Sequence, residues 1–175
     1  MIRAEELTKD FGGVRAVDRV SLHIEDGEIF GLVGPDGAGK TTLIRMMLGI
    51  IAMTSGTVRV MDSASIESVK EHLGYIPQRF SLYGDLTVME NIRTMGALYG
   101  SSAADVEERG RYIWVLTGLL LFVDRLADNL SGGMKQKLAL AAGLMHKPRI
   151  FFLDEPTTGV DPVSRREFWQ MLYRL

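Results

Sequence analysis

Residues 28–42 read EIFGLVGPDGAGKTT, an apolar run that breaks at a glycine-rich stretch ending in Lys40, Thr41 and Thr42. Gly34 and Gly39 stand at the spacing of a phosphate loop, with Lys and Thr directly after the second glycine. The pattern predicts a short strand over 28–33 buried on both sides, a loop, and a helix over 41–49. Leu43, Met46, Met47 and Ile50 return on that helix at helical spacing. Glycines let successive backbone N–H groups curl around phosphate oxygens, and the start of the following helix adds partial positive charge. Gly34, Pro35, Asp36, Gly37, Ala38 and Gly39 would form this cradle, with Thr42 beside it. Lys40 would reach the β and γ phosphates, and the Thr41 hydroxyl would ligate Mg²⁺. The plainer alternative is a glycine turn between strand and helix that binds nothing.

Around this loop, elements alternate. Val20, Leu22 and Ile24 alternate with polar residues as in a strand with one buried face, and 25–27 is a turn. Further strands are expected at 57–61, 73–77 and 150–153. Helix patterns dominate 88–145, over 88–99, 105–117 and 132–145, and Pro162 opens a last helix carrying Phe168, Met171, Leu172 and Leu175. The 175 residues therefore read as one α/β unit with a helical insertion. A formal charge of -2 argues against a surface built mainly for nucleic acid, and the absence of cysteine excludes disulfides and thiolate metal sites. The uncharged apolar stretch 112–123 is shorter than the roughly 20 apolar residues of a membrane helix.

The strand expected at 150–153 ends in two adjacent carboxylates. Asp154 is placed to hold the magnesium shell, leaving Glu155 to orient and deprotonate an attacking water. A solvated turn would also accept two acids. Residues 130–136, LSGGMKQ, open a helix with a serine, a second set of exposed N–H groups suited to an anion. One nucleotide needs only one phosphate loop, so this second anion-type site calls for a different explanation from an ordinary serine cap.

With GPDGAGKTT, LSGGMKQ and IFFLDEPTTGVDP in this order, the sequence closely resembles the ATP-binding-cassette (ABC) family over essentially its whole length, most of all ATPase subunits of bacterial drug-type exporters. The resemblance implies a P-loop NTPase core with an N-terminal antiparallel β subdomain and an inserted α-helical subdomain. It implies core and β subdomain over 1–87 and 146–175, and the helical signature subdomain over 88–145. Phe11 falls where the family stacks an aromatic on adenine, and Gln78 matches the glutamine that senses metal and attacking water. Thr41, Gln78 and Asp154 would serve the metal, and Glu155, Gln78 and Lys40 the chemistry. Ser131, Gly132, Gly133 and Gln136 would cover the ATP of a partner domain, and Asp161 lies in a loop crossing that interface. Val160 stands where Leu is commoner, and Asp36 where Asn is usual.

The resemblance further implies ATP and Mg²⁺ as cofactors and a second ABC ATPase domain paired head to tail. A transmembrane permease subunit, no nucleic acid, and a peripheral place on the cytoplasmic face of the cell membrane complete the expectation. Ribosome-associated or DNA-maintenance ABC ATPases are the alternative class. The phosphate loop and signature are here separated by about ninety residues of globular helix pattern without sustained heptads, which favours neither. The family also has a histidine at the end of a later strand, in contact with the γ-phosphate. His23, His72 and His146 all precede Asp154, so the C-terminal part of the domain is expected to be missing, and the 175-residue piece alone to be poorly stable and nearly inactive.

Overall fold

The computed structural model describes residues 1–175, which divide into two compact units, Met1–Leu73 and Gly74–Leu175. In the first, β1 (Ile2–Phe11) pairs antiparallel with both β2 (Val14–Ile24) and β3 (Ser55–Val60), in the order β2-β1-β3. The hairpin between β1 and β2 turns at 12–13, with Phe11 opposite Val14. Helix α1 (Lys40–Met47) packs on this sheet, and Leu43, Ile44, Met46 and Met47 are buried along with Ile2, Leu7, Val58 and Val60. Each fully buried aliphatic side chain contributes about 1.5–3 kcal/mol.

β1 is the element that sequence patterning leaves unassigned. Ile2 and Ala4 face inward, but the next buried residue is Leu7, because the register shifts between Ala4 and Leu7 and Glu6 takes a positive φ of 50°. A bulge adds one residue to the strand and reverses the phase of the alternation, which hides the period of two.

The expected strand at 28–33 is not present. These residues join none of the five strands, and Ile29 and Val33 are 79% and 94% exposed. An apolar run becomes a strand only where a neighbour supplies the other half of the ladder, and no strand in the structure pairs with this one. The expected helix stripe also ends early. Gly49 takes φ 68°, its N–H donates to Met46 O at 3.0 Å, and Ile50 N–H reaches Arg45 O at 2.9 Å. This is a Schellman stop, and it leaves Ile50 off the helix and exposed.

In the second unit β4 (Leu73–Ile76) pairs with β5 (Ile150–Leu153), and four helices follow the expected spans: α2 (Val88–Leu98), α3 (Ala103–Thr117), α4 (Gly132–Leu144) and α5 (Pro162–Leu172). Helices α2 and α3 begin with complete capping boxes, Thr87 with Glu90 and Ser102 with Asp105. The acids accept backbone and hydroxyl hydrogen bonds from these caps, which hold both carboxyls below their ordinary pKa. Val88, Ile92, Val106, Ile113, Trp114 and Leu138 form one core among α2, α3 and α4. Leu140, Phe168 and Met171 form another with Ile76. Cutting Leu138 to Ala would cost about 2–5 kcal/mol. No helix is long and apolar enough to cross a membrane.

Candidate nucleotide-binding site

The glycine-rich loop lies in the first unit. Pro35 to Ala38 makes a turn closed by the Ala38 N–H on Pro35 O at 3.2 Å. Lys40 Nζ donates to the carbonyls of Gly34 and Pro35, both at 2.9 Å, so its charge bends back over the loop. Gly39 is the N-cap of α1 with φ 87°, and a Cβ there would come within 2.2 Å of Ala16 O. Only glycine satisfies both the left-handed backbone and the close approach to β2. Gly39 brings no side-chain cap and the first turn of α1 holds no acid, the character of a helix start suited to an anion. Thr41 stands in that first turn. Phe11 is half exposed, not core, and Lys9 Nζ lies 4.9 Å from its ring centroid.

The paired acids and Gln78 lie in the second unit. Asp154 continues β5, with its N–H on Ile76 O at 2.9 Å, and is almost fully buried. Tyr75, from β4, donates its hydroxyl to Asp154 Oδ2 at 3.2 Å. Glu155 follows with a positive φ of 48°, uncommon for a residue with a side chain, at the head of a turn closed by Thr158 N–H on Glu155 O. Gln78 Nε2 donates to Glu155 Oε2 at 3.0 Å, and the Thr158 hydroxyl donates to the same oxygen at 3.1 Å. Two donors on one oxygen fix the plane of this carboxylate. Tyr75 and Thr158 were not anticipated from the sequence. Thr158 sits three residues after Glu155, a turn spacing that could have drawn attention to it, whereas nothing local marks Tyr75.

Ser131 is the N-cap of α4, and its hydroxyl oxygen accepts the Met134 N–H at 3.3 Å. A hydroxyl that accepts still has its own hydrogen to donate, so capping does not use up this group. Gly132 is open, with no heavy atom within 4 Å of where a Cβ would stand, and Gln136 is buried. Gly133 is the tight point. A Cβ there would lie 2.5 Å from Ser164 Cβ, on the first turn of α5. Asp161 caps α5 by accepting the N–H groups of Val163 and Ser164 at 3.1 and 3.0 Å. The start of α4 and the Asp161 turn are thus neighbours, and Val160 is buried between them, 3.8 Å from the same position. The Ser164 N–H and hydroxyl, and then the Val163 N–H, hold the Asp161 carboxyl below its ordinary pKa.

The donor chemistry fits a magnesium nucleotide. A cradle of N–H groups with a lysine suits polyphosphate, while a threonine hydroxyl and an aspartate at a strand end are the oxygen donors Mg²⁺ takes. The fold is that of ATP-binding cassettes. A dimeric post-hydrolysis structure of the cassette MJ0796, bound to ADP and Pi, superposes with a TM-score of 0.87 at 25% identity, covering 100% of this chain and 82% of that one. The ABC transporter family pattern matches residues 17–158, and the chain belongs to that family. It is 48% identical over 172 residues to a probable multidrug ABC transporter ATP-binding protein, YbhF, of Escherichia coli (strain K12), covering 97% of this chain and 30% of that protein. It is 38% identical over 177 residues to the Nod factor export ATP-binding protein I of Paraburkholderia xenovorans (strain LB400), covering 99% of this chain and 58% of that one. The chain thus spans about a third of the first relative and somewhat over half of the second.

Proposed function

We propose that this chain is the ATP-binding and hydrolysing part of an ABC exporter. It would consist of a core and β subdomain over 1–87 and 146–175, and a helical signature subdomain over 88–145. The observation that carries this reading is the second helix start built for an anion, Ser131 to Gly133, in a chain that already has a phosphate loop. Its contact with the Asp161-capped turn of α5 supports reading the two helix starts as one partner-facing surface. Membership of the ABC family, and the multidrug transport and Nod factor export named for two of its relatives, support the same conclusion.

Within this reading Gly34 to Gly39 and Thr42 cradle the triphosphate, and Lys40 leaves the loop carbonyls it now bonds to meet the β and γ phosphates. Phe11 offers the face of its ring to adenine. Thr41, Asp154 and Gln78 would hold Mg²⁺, which would supply neutralisation of the phosphate charge. Tyr75 orients the Asp154 carboxylate. Gln78 turns its amide N–H to Glu155, which directs its carbonyl oxygen the other way, as a metal or water contact requires. Glu155 orients the attacking water and takes its proton.

Ser131, Gly132, Gly133 and Gln136 act on the ATP of a second ABC ATPase domain, and Asp161 faces that domain. Closing the pair on two ATPs and releasing it on hydrolysis is a population shift driven by tighter binding to the closed state. A transmembrane permease would receive it at the cytoplasmic face of the membrane. The deciding experiment is ATP turnover and sedimentation of the full-length protein with Glu155→Gln. Hydrolysis should collapse and an ATP-dependent dimer should accumulate, whereas a monomer at saturating ATP would reject the paired mechanism.

A further inference from the structure

The chain that follows Gln78 is anchored by a side chain outside every motif considered above. Asn91, on α2, is fully buried. Its Oδ1 accepts the Tyr83 N–H at 2.9 Å, and its Nδ2 donates to the carbonyls of Tyr83, Leu86 and Thr87 at 2.9, 3.2 and 3.0 Å. The primary amide thus spends both its ends on one short segment, 83–87. Phe80 and Leu82, on the way there, pack against the helical core. The stretch from Gln78 to Thr87 is therefore held at one end by Glu155 and at the other by Asn91.

A second seam runs along its outer side. Asp128 N–H donates to Gly84 O at 3.0 Å, Ala127 N–H to Leu86 O at 2.9 Å, and Val88 N–H to Arg125 O at 3.0 Å. Gly84 lies against the Asp128 carboxylate so closely that a Cβ would fall 2.3 Å from Oδ1. Three residues after Asp128 the chain reaches Ser131. The segment that presents Gln78 and the segment that delivers the signature are laced together.

We propose that Asn91 is a positioning residue for ATP hydrolysis. By pinning 83–87 it sets the reach of Gln78 toward Glu155, and through the Gly84–Asp128 seam it makes the Gln78 loop and the signature start move as one piece. This rests on the assignment of Gln78 and Glu155 to hydrolysis. Losing a buried amide lowers stability whatever its role, so stability cannot be the readout.

The test is steady-state MgATP hydrolysis by the full-length protein as Asn91→Leu, Gln78→Ala and the double variant. Asn91→Leu should lower kcat roughly tenfold to a hundredfold, the scale of a misplacement at the reacting centre, with KM little changed. The double variant should be no slower than Gln78→Ala alone, since both changes disable one device. Losses that multiply, or a wild-type kcat in Asn91→Leu, would overturn the proposal. If Gln78→Ala itself hydrolyses normally, the assignment of Gln78 falls, and this inference with it. Should Asn91→Leu fail to fold, Asn91→Asp keeps the acceptor for the Tyr83 N–H and gives up the bonds donated to 83–87. Its kcat should drop in the same way and add nothing to Gln78→Ala, and a wild-type kcat would overturn the proposal.

Discussion

Gln78 donates its amide N–H to Glu155 Oε2 at 3.0 Å, joining residues 77 positions apart. The bond brings the loop after β4 to the turn after β5, and the pairing of those two strands makes it possible. A polar side chain placed directly on the proposed general base is in position to orient it.

Glu155→Gln keeps the size of the side chain and removes its basicity. Turnover should fall about 10²–10⁴-fold, the usual contribution of a positioned base, with ATP affinity retained. Single-turnover hydrolysis alongside a nucleotide titration checks both halves, and a variant that turns over normally would remove Glu155 from the chemistry.

Gly39→Ala combines a φ of 87° with a Cβ 2.2 Å from Ala16 O, a backbone atom that cannot swing aside. The expected loss is about 1–3 kcal/mol of stability, with nucleotide binding lost as the loop shifts. Denaturant unfolding and fluorescent-nucleotide titration would measure the two effects.

Gly133→Ala should push α5 off the start of α4, because the new methyl group meets Ser164 Cβ at 2.5 Å. Adding Ser164→Gly removes the opposing atoms and should recover most of the lost stability. Thermal melts of the single and double variants decide the point. Equal destabilisation in both would mean that the helix ends do not meet as described.

Acid should loosen the start of α5. The Asp161 carboxyl lies below its ordinary value of 3.8, lowered first by Ser164 and then by Val163. Its contribution is complete above the unfolded pKa and fades as pH falls through the lower folded one. In Asp161→Asn the cap survives as a neutral acceptor, so the melting temperature should depend less on pH below about 4 than in the unaltered protein. An unchanged acid limb in the pH series would show that this cap does not contribute to it.

Asp36 is exposed in the turn of the phosphate loop. A carboxylate there repels a triphosphate, and Asp36→Asn should tighten ATP binding slightly, with a larger effect at low salt. A calorimetric titration showing unchanged or weaker affinity would refute this.

Much of the site was legible because its chemistry is local. The spacing of Gly34, Gly39, Lys40 and Thr41 specifies a turn into a helix within eight residues, and the loop adopts it with Gly39 at the cap. Ser131 and Asp161 precede helices and cap them, since the N–H groups they satisfy lie two or three residues away. Where β2 alternates regularly in Val20, Leu22 and Ile24, the period marks a strand. In β1 the bulge at Glu6 breaks the same period, and the strand goes unmarked.

What depends on distant neighbours could not be read from the residues themselves. Residues 28–33 are as apolar as any buried strand, yet they are unpaired, because a ladder needs a partner elsewhere in the chain. Tyr75 looked like one more strand residue until β5 brought Asp154 beside it, and Asn91 was only a polar residue on a helix until 83–87 folded over it. Sequence alone determined the turns and helix caps that present the candidate groups, since these follow from backbone geometry over a few residues. Tertiary structure alone decided which side chain holds which, because those contacts exist only after strands pair and helices pack.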